Sequence, residues 1–225
     1  MAKYVALIAL SLIASGCGRS ATEELTQLSE EFVDTTLAFS PSAATAAGLH
    51  TLRKLNLDEM LDDMSPANLD RQRQFYEDFN DRLSKLNTGK LTPEDRADVL
   101  ILQNQCALAI LDLSEVQSYL HNPTVYVEIL GNALFTPFTL EYAPKPDRIR
   151  SILARLQKVP LLLNQASTNL TSAPLVWTQL AMEENQGNID LVDRTMRAAV
   201  PADGPCAPPF PPTHAMSTLA PPCRP

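Results

Sequence analysis

Apolar residues recur at helical spacing along most of this chain. Leu25, Leu28, Phe32 and Val33 follow Ser20 and Glu23, a capping-box pattern, and predict a first helix. Ser40-Pro41 ends it and begins a short second helix, SAATAA, closed by Gly48. Leu57 to Leu61 predict one more helical turn. Ser65-Pro66 then opens a long helix with a cap residue and a proline at its first position. Its apolar face is Leu69, Tyr76, Phe79, Leu83 and Leu86, and Gly89 ends it. Thr92-Pro93-Glu94-Asp95 repeats the same start. Val99, Leu102, Cys106, Ile110, Leu113 and Val116 carry the next stripe to near His121-Asn122-Pro123. Two such helices joined by about five residues predict an antiparallel pair.

Residues 123–146 are less regular. VYVEIL has strand composition, yet Pro123 and Gly131 also frame a short helix, and Pro137, Pro144 and Pro146 predict a loop after it. Ile149, Ile152, Leu156, Val159, Leu163 and Leu170 predict a helix from Asp147 to about Leu170, bent at Pro160. A last helix begins near Pro174, carries Val176, Trp177, Leu180 and Leu191, and runs to about Ala199. The fold class is all-α, amphipathic helices in antiparallel pairs over residues 18–200. From Pro201 the pattern stops: the last 25 residues hold nine of the 18 prolines. That tail, 201–225, reads as disordered or as the product of a shifted reading frame, with a proline-rich ligand arm as the alternative.

The amino terminus adds an address. Lys3 supplies a positive start, residues 4–13 an apolar run too short to span a bilayer, and Ala14-Ser15-Gly16 small residues before Cys17. Residues 1–17 read as a lipoprotein signal ending at Cys17, which takes the lipid; palmitate-like chains then hold the protein to the membrane. An ordinary secretory signal cut elsewhere and an uncleaved helix are the alternatives. Gly18 lacks the acidic character of inner-membrane retention, so the expected address is the cell envelope and, in a cell with two membranes, the periplasmic side of the outer one. About 208 residues remain after the signal, enough for one core. Net charge is -8 and the pI near 4.9, which gives no footprint for nucleic acid.

Candidate chemistry is sparse. No HExxH pair, GxSxG elbow, phosphate loop or EF-hand occurs, and His50, His121 and His214 lie far apart in sequence. No catalytic or metal residue is assigned; an enzyme would require His50, His121 and an acid to converge. Cys106 sits on an apolar stripe and reads as a buried thiol, while Cys206 and Cys223 lie in the tail. Glu183 and Glu184 diverge by about 100° on a helix and form no paired face. Trp177 and Glu184 are the candidate lining of a ligand cleft, against the plainer reading of a core tryptophan beside solvated acids.

FSPSAATAAGLH (Phe39 to His50), MSPANLDR, LTPEDRADVLILQNQ, NPTVYVEIL, LARLQKVPLLLNQASTNL and APLVWTQLAMEENQG occur here in order. Together, from Leu28 to about Val192, they resemble the amino-terminal third of a bacterial lipoprotein family known as domain of unknown function 885. The resemblance implies a helical, zinc-peptidase-like protein whose metal-binding helix lies in its carboxyl-terminal half. This chain would then be an incomplete portion of that larger fold, a fragment non-catalytic alone, with zinc expected only in full-length relatives. The alternative is a helical binding or scaffold lipoprotein of the cell envelope.

Overall fold

Capping chemistry sets the first helix of residues 20–199, the part of the chain that the computed structural model describes. Ser20 Oγ accepts from the Glu23 amide at 3.2 Å and the Glu23 carboxylate accepts from the Ser20 amide at 3.0 Å, opening α1 (Ala21–Phe39). Helix α2 (Pro41–Ala46) follows and stops at Gly48, whose φ of +84° is the left-handed conformation glycine adopts without strain. Thr51–Leu52 (β1) and Leu55–Asn56 (β2) then pair antiparallel through a tight turn at Arg53 and Lys54, and a 3-10 turn covers Leu57–Glu59. Helices α3 (Pro66–Lys85) and α4 (Pro93–Leu111) start alike: Ser65 Oγ accepts from the Asn68 amide and Thr92 Oγ1 from the Asp95 amide. Leu86 and Leu91 bury beside Leu25 and Val99, while Phe79 and Leu83 bury beside Leu28 and Cys106. These contacts make α3 and α4 an antiparallel pair lying against α1.

A π-helical segment, Asp112–Val116, continues α4 and ends at Gln117 in the left-handed region, φ 51°. Helices α5 (Ser118–His121), α6 (Thr124–Thr139), α7 (Lys145–Leu156), α8 (Val159–Asn169) and α9 (Leu175–Asp190) follow. A second π segment, Leu191–Met196, leads into α10 (Arg197–Ala199). The main core is built here, from Tyr126, Leu130 and Leu134 of α6, Ile152 and Leu156 of α7, Leu162 and Ala166 of α8, and Val192 and Met196. Gly131 lets α9 approach α6: a Cβ there would meet Asn188 Oδ1 at 3.0 Å, and Asn188 Nδ2 donates to the Val127 carbonyl at 3.0 Å.

The described residues are therefore all-α apart from one pairing of two-residue strands. VYVEIL is helical, and the loop expected from Pro137 onward is shorter than predicted, because Pro137 lies inside α6 and Pro146 inside the first turn of α7. Proline tolerates a first helical turn, where its missing N–H has no partner to lose. Pro160 likewise opens α8 instead of bending one long helix, so the predicted helix over 147–170 is two. Gly89 falls in a 3-10 turn, Thr88–Lys90, after α3 has already ended. Cys17, expected to carry the lipid, with the leader before it, and the tail with Cys206, His214 and Cys223, lie outside the described residues.

Candidate functional site

Arg148 and Arg155 sit on the same apolar stripe of α7 as Ile149, Ile152 and Leu156, one and two turns apart. Both are buried, and Arg155 has no solvent exposure. Its guanidinium donates to the carbonyls of Met60 (2.9 Å), Ala133 (2.7 Å), Pro41 (3.1 Å) and Leu57 (3.2 Å), and to Thr45 Oγ1 (2.6 Å). The Ala133 carbonyl is free for this because Pro137, four residues on, has no N–H to give it. Arg148 Nη1 caps the end of α6 in the same way, donating to the carbonyls of Pro137 and Phe138. Two arginines of α7 thus satisfy the carbonyls that a proline and a helix end leave open in α6.

Beyond Arg155 the network reaches the surface. Thr45 Oγ1 donates to Asp58 Oδ1 at 2.8 Å, and His50 Nδ1 stands 3.0 Å from the same oxygen. The Tyr142 ring stacks on the His50 imidazole at 4.2 Å. Burial first, then the Asp58 charge, pushes the Tyr142 phenol up to about 12; its buried hydroxyl feels the Asp58 carboxylate but lies outside hydrogen-bond geometry to it. Burial pushes the Arg155 guanidinium down from its usual value, and Asp58 opposes that shift. An Asp–His pair orients an imidazole for proton transfer, but a nucleophile must sit within hydrogen-bond reach. Among the described residues no hydroxyl or thiol is hydrogen-bonded to His50 Nε2. The arrangement serves as a structural staple joining α2, the Leu57–Glu59 turn, α6 and α7.

A cavity of about 480 Å³ lies between α3, the first π segment, α5 and the end of α8. Leu69, Leu113, Leu120 and Tyr119 give it apolar walls; Asp70, Arg73, Gln117 and Asn169 supply polar groups. The walls are fixed. Gln117 N–H bonds the Asp112 carbonyl at 2.6 Å, the five-residue step that defines the π turn, and Ser118 Oγ donates to Asp112 Oδ1 at 2.5 Å. Asn169 Nδ2 donates to the Met64 carbonyl and to Tyr126 Oη, which itself donates to the Tyr119 carbonyl. Arg73 is held by Asp70 at 2.5 Å and by both Glu77 oxygens at 2.8 and 2.9 Å, so its charge is spent inside the protein. The volume is that of a small-molecule pocket, and a π segment next to a left-handed non-glycine residue is typical of a binding site.

Sequence reasoning did not find this cavity. Trp177, 40% exposed on the first turn of α9, and Glu184, two turns further on the same face, do not line it. One Glu184 carboxylate oxygen is nonetheless buried without a hydrogen-bond partner. His50 and His121 are not brought together with an acid: His121 Nδ1 pairs with Ser172 Oγ at 2.8 Å, and no group of three or more His, Cys, Asp or Glu among the described residues is arranged to hold a metal ion. Cys106 is buried, and burial pushes its thiol up to about 11.

A bacterial family of unknown function, DUF885, matches residues 41–212. The match corrects the resemblance drawn from sequence. It covers nearly the whole chain rather than an amino-terminal third, it takes in residues 201–212 of the proline-rich segment, and it carries no link to zinc peptidases. A solved structure from Shewanella oneidensis, of unknown function and provisionally described as a lipoprotein, superposes with a TM-score of 0.71 at 23% identity. The likeness covers 87% of this chain and 34% of that one, so this chain spans about a third of its length. No curated protein is significantly similar.

Proposed function

We propose that this chain, which belongs to the bacterial DUF885 family, is a lipid-anchored helical binding protein of the cell envelope. The cavity under the first π segment carries that reading: it is of small-ligand size, and its walls are held by hydrogen bonds that do not depend on a ligand. With Arg73 neutralised by Asp70 and Glu77, the pocket suits an uncharged amphiphile rather than an anion. The anchor is supported by the apolar leader ahead of Cys17 and by the lipoprotein description of the superposing structure. The periplasmic face of the outer membrane is the proposed location, on the strength of Gly18 after the lipidated residue. Trp177 and Glu184 are proposed as a second, shallower lining on α9, supported by the half-exposed ring and the unpartnered carboxylate oxygen.

The test compares wild-type protein with Leu113→Trp, which intrudes on the cavity from the π segment. Thermal midpoints are measured against a panel of small uncharged amphiphiles. A ligand that binds only the folded state raises the midpoint. The reading expects a rise in wild type that Leu113→Trp loses; no rise in wild type, or an equal rise in both, refutes it. Incorporation of labelled palmitate into wild type but not Cys17→Ser checks the anchor.

A second reading makes these helices one part of a longer helical protein, favoured by the share of the superposing structure that this chain spans. Amide exchange along α9, where Leu175, Val176 and Leu180 are exposed, should be slower in a longer family member than in this chain.

A further inference from the structure

The geometry points to the outward face of α4 as a docking surface for a partner helix with lysine or arginine beside its apolar stripe. This goes beyond the cavity reading, since the residues that carry it line none of the cavity. Leu100, Ile101, Leu108 and Leu111 are each between 49% and 61% exposed, while Val99 and Cys106 on the other side of the helix are buried. Successive residues turn by about 100°, which places Leu100, Leu108 and Leu111 within one 80° arc with Ile101 on its edge. The stripe is about 17 Å long at 1.5 Å per residue, or three turns, the span of a helix-on-helix contact. Exposed Asn104 falls within the same arc, yet four large apolar side chains aligned around one amide are not the scattered exposure common on protein surfaces.

Charge selects the occupant. Exposed Asp98 flanks the stripe on the Ile101 side near its start, exposed Glu115 stands past its other end, and the chain carries no lysine or arginine between Ala97 and Leu120. Arg96 is turned back to the Leu91 carbonyl at 2.9 Å. A second copy of this face, packed parallel or antiparallel, sets acid against acid at both ends. A bilayer is also a poor fit. Residues Pro93–His121 are long and apolar enough by composition to cross a bilayer, but the far side of α4 is committed to α3 and anionic headgroups repel the flanking acids. A basic amphipathic helix meets both the apolar stripe and its acidic ends.

The experiment titrates the purified chain with two labelled synthetic helices, one of leucine–lysine heptads and one of leucine–glutamate heptads, followed by fluorescence anisotropy. The wild type is expected to bind the lysine helix more tightly. Leu108→Asn with Leu111→Asn, at exposed positions that leave the fold intact by circular dichroism, should weaken that binding on the order of tenfold. Asp98→Lys with Glu115→Lys should reverse the preference towards the glutamate helix. Unchanged affinity in the asparagine variant overturns the proposal, as does a preference that the lysine variant leaves in place. Dimerisation in sedimentation, or binding to phosphatidylcholine–phosphatidylglycerol vesicles, would overturn it in favour of a second copy or a membrane if the asparagine variant abolished either. The cavity variant Leu113→Trp should bind the lysine helix as wild type does, which separates this outcome from the ligand test above.

Discussion

Replacing Arg155 with methionine removes five hydrogen bonds, but their loss is unequal. The Leu57 carbonyl keeps the Met60 amide, and the Pro41 carbonyl keeps a share of the Thr45 hydroxyl proton that otherwise goes to Asp58. The carbonyls of Met60 and Ala133 lose the donors that Arg155 gives them, at 2.9 and 2.7 Å. Orphaning a buried carbonyl costs about 1–3 kcal/mol, so the two together cost about 4 kcal/mol. The chain itself supplies the control. Pro137→Ala restores an N–H four residues beyond Ala133, where the helix can use it. In that background Arg155→Met should cost about 1 kcal/mol less, because one of the two orphans regains a donor. Urea denaturation of the wild type, both single variants and the double variant gives the coupling. Additivity within about 0.3 kcal/mol would show that Arg155 does not stand in for the missing proline donor.

Tyr142→Phe removes a buried hydroxyl whose one polar neighbour, Asp58, lies outside hydrogen-bond geometry, and should stabilise the protein by about 1 kcal/mol at neutral pH. Because burial raises the phenol's folded value to about 12, wild-type stability should fall as pH rises from the unfolded value near 10 through that folded value. The phenylalanine variant should lose this part of the alkaline limb in urea midpoints; a destabilised variant would contradict the reading. Glu31, held by Arg82 through two contacts of 2.6 Å between α1 and α3, has its carboxyl pulled below the usual range, chiefly by that hydrogen bond. Its contribution is present above the unfolded value and lost as pH falls through the lowered folded one. The pair is part-exposed, so Glu31→Gln should flatten the acid limb by only roughly half a kcal/mol, read from urea midpoints between pH 3 and 6. A steeper acid limb in the variant would count against it.

The α3–α4 pair was legible because each helix announces its own start, Ser65-Pro66 and Thr92-Pro93, and caps act within one turn of the chain. The course of α6 was not. Pro137 is locally a stop, and what keeps it helical is an arginine on another helix, contact with which no short window of sequence reveals. A faint sign was present: Arg148 and Arg155, seven residues apart, share the stripe of Ile149, Ile152 and Leu156, an odd place for two charges unless each has buried acceptors. The cavity left no comparable trace, since π geometry has no residue signature as strong as a cap. The exposed side of α4 was hidden differently. Its sequence stripe is buried at Val99 and Cys106 but surfaces at Val116, where the π segment shifts the register, and the same helix is apolar on its opposite side, which periodicity read from one face overlooks.

The widened turn at Asp112–Val116 holds one more residue than an ordinary helix would over the same rise. A natural insertion at this place could therefore have been absorbed in the helix wall, leaving the seam between α3 and α4 undisturbed. Removing a single residue there would only rewind the turn to an ordinary one, whereas removing one from the regular turns of α4 would swing everything after it by about 100° around the axis. Tyr119 and Leu120 would then face away from Asn169, and the chamber they enclose would open without any of its lining side chains having been altered.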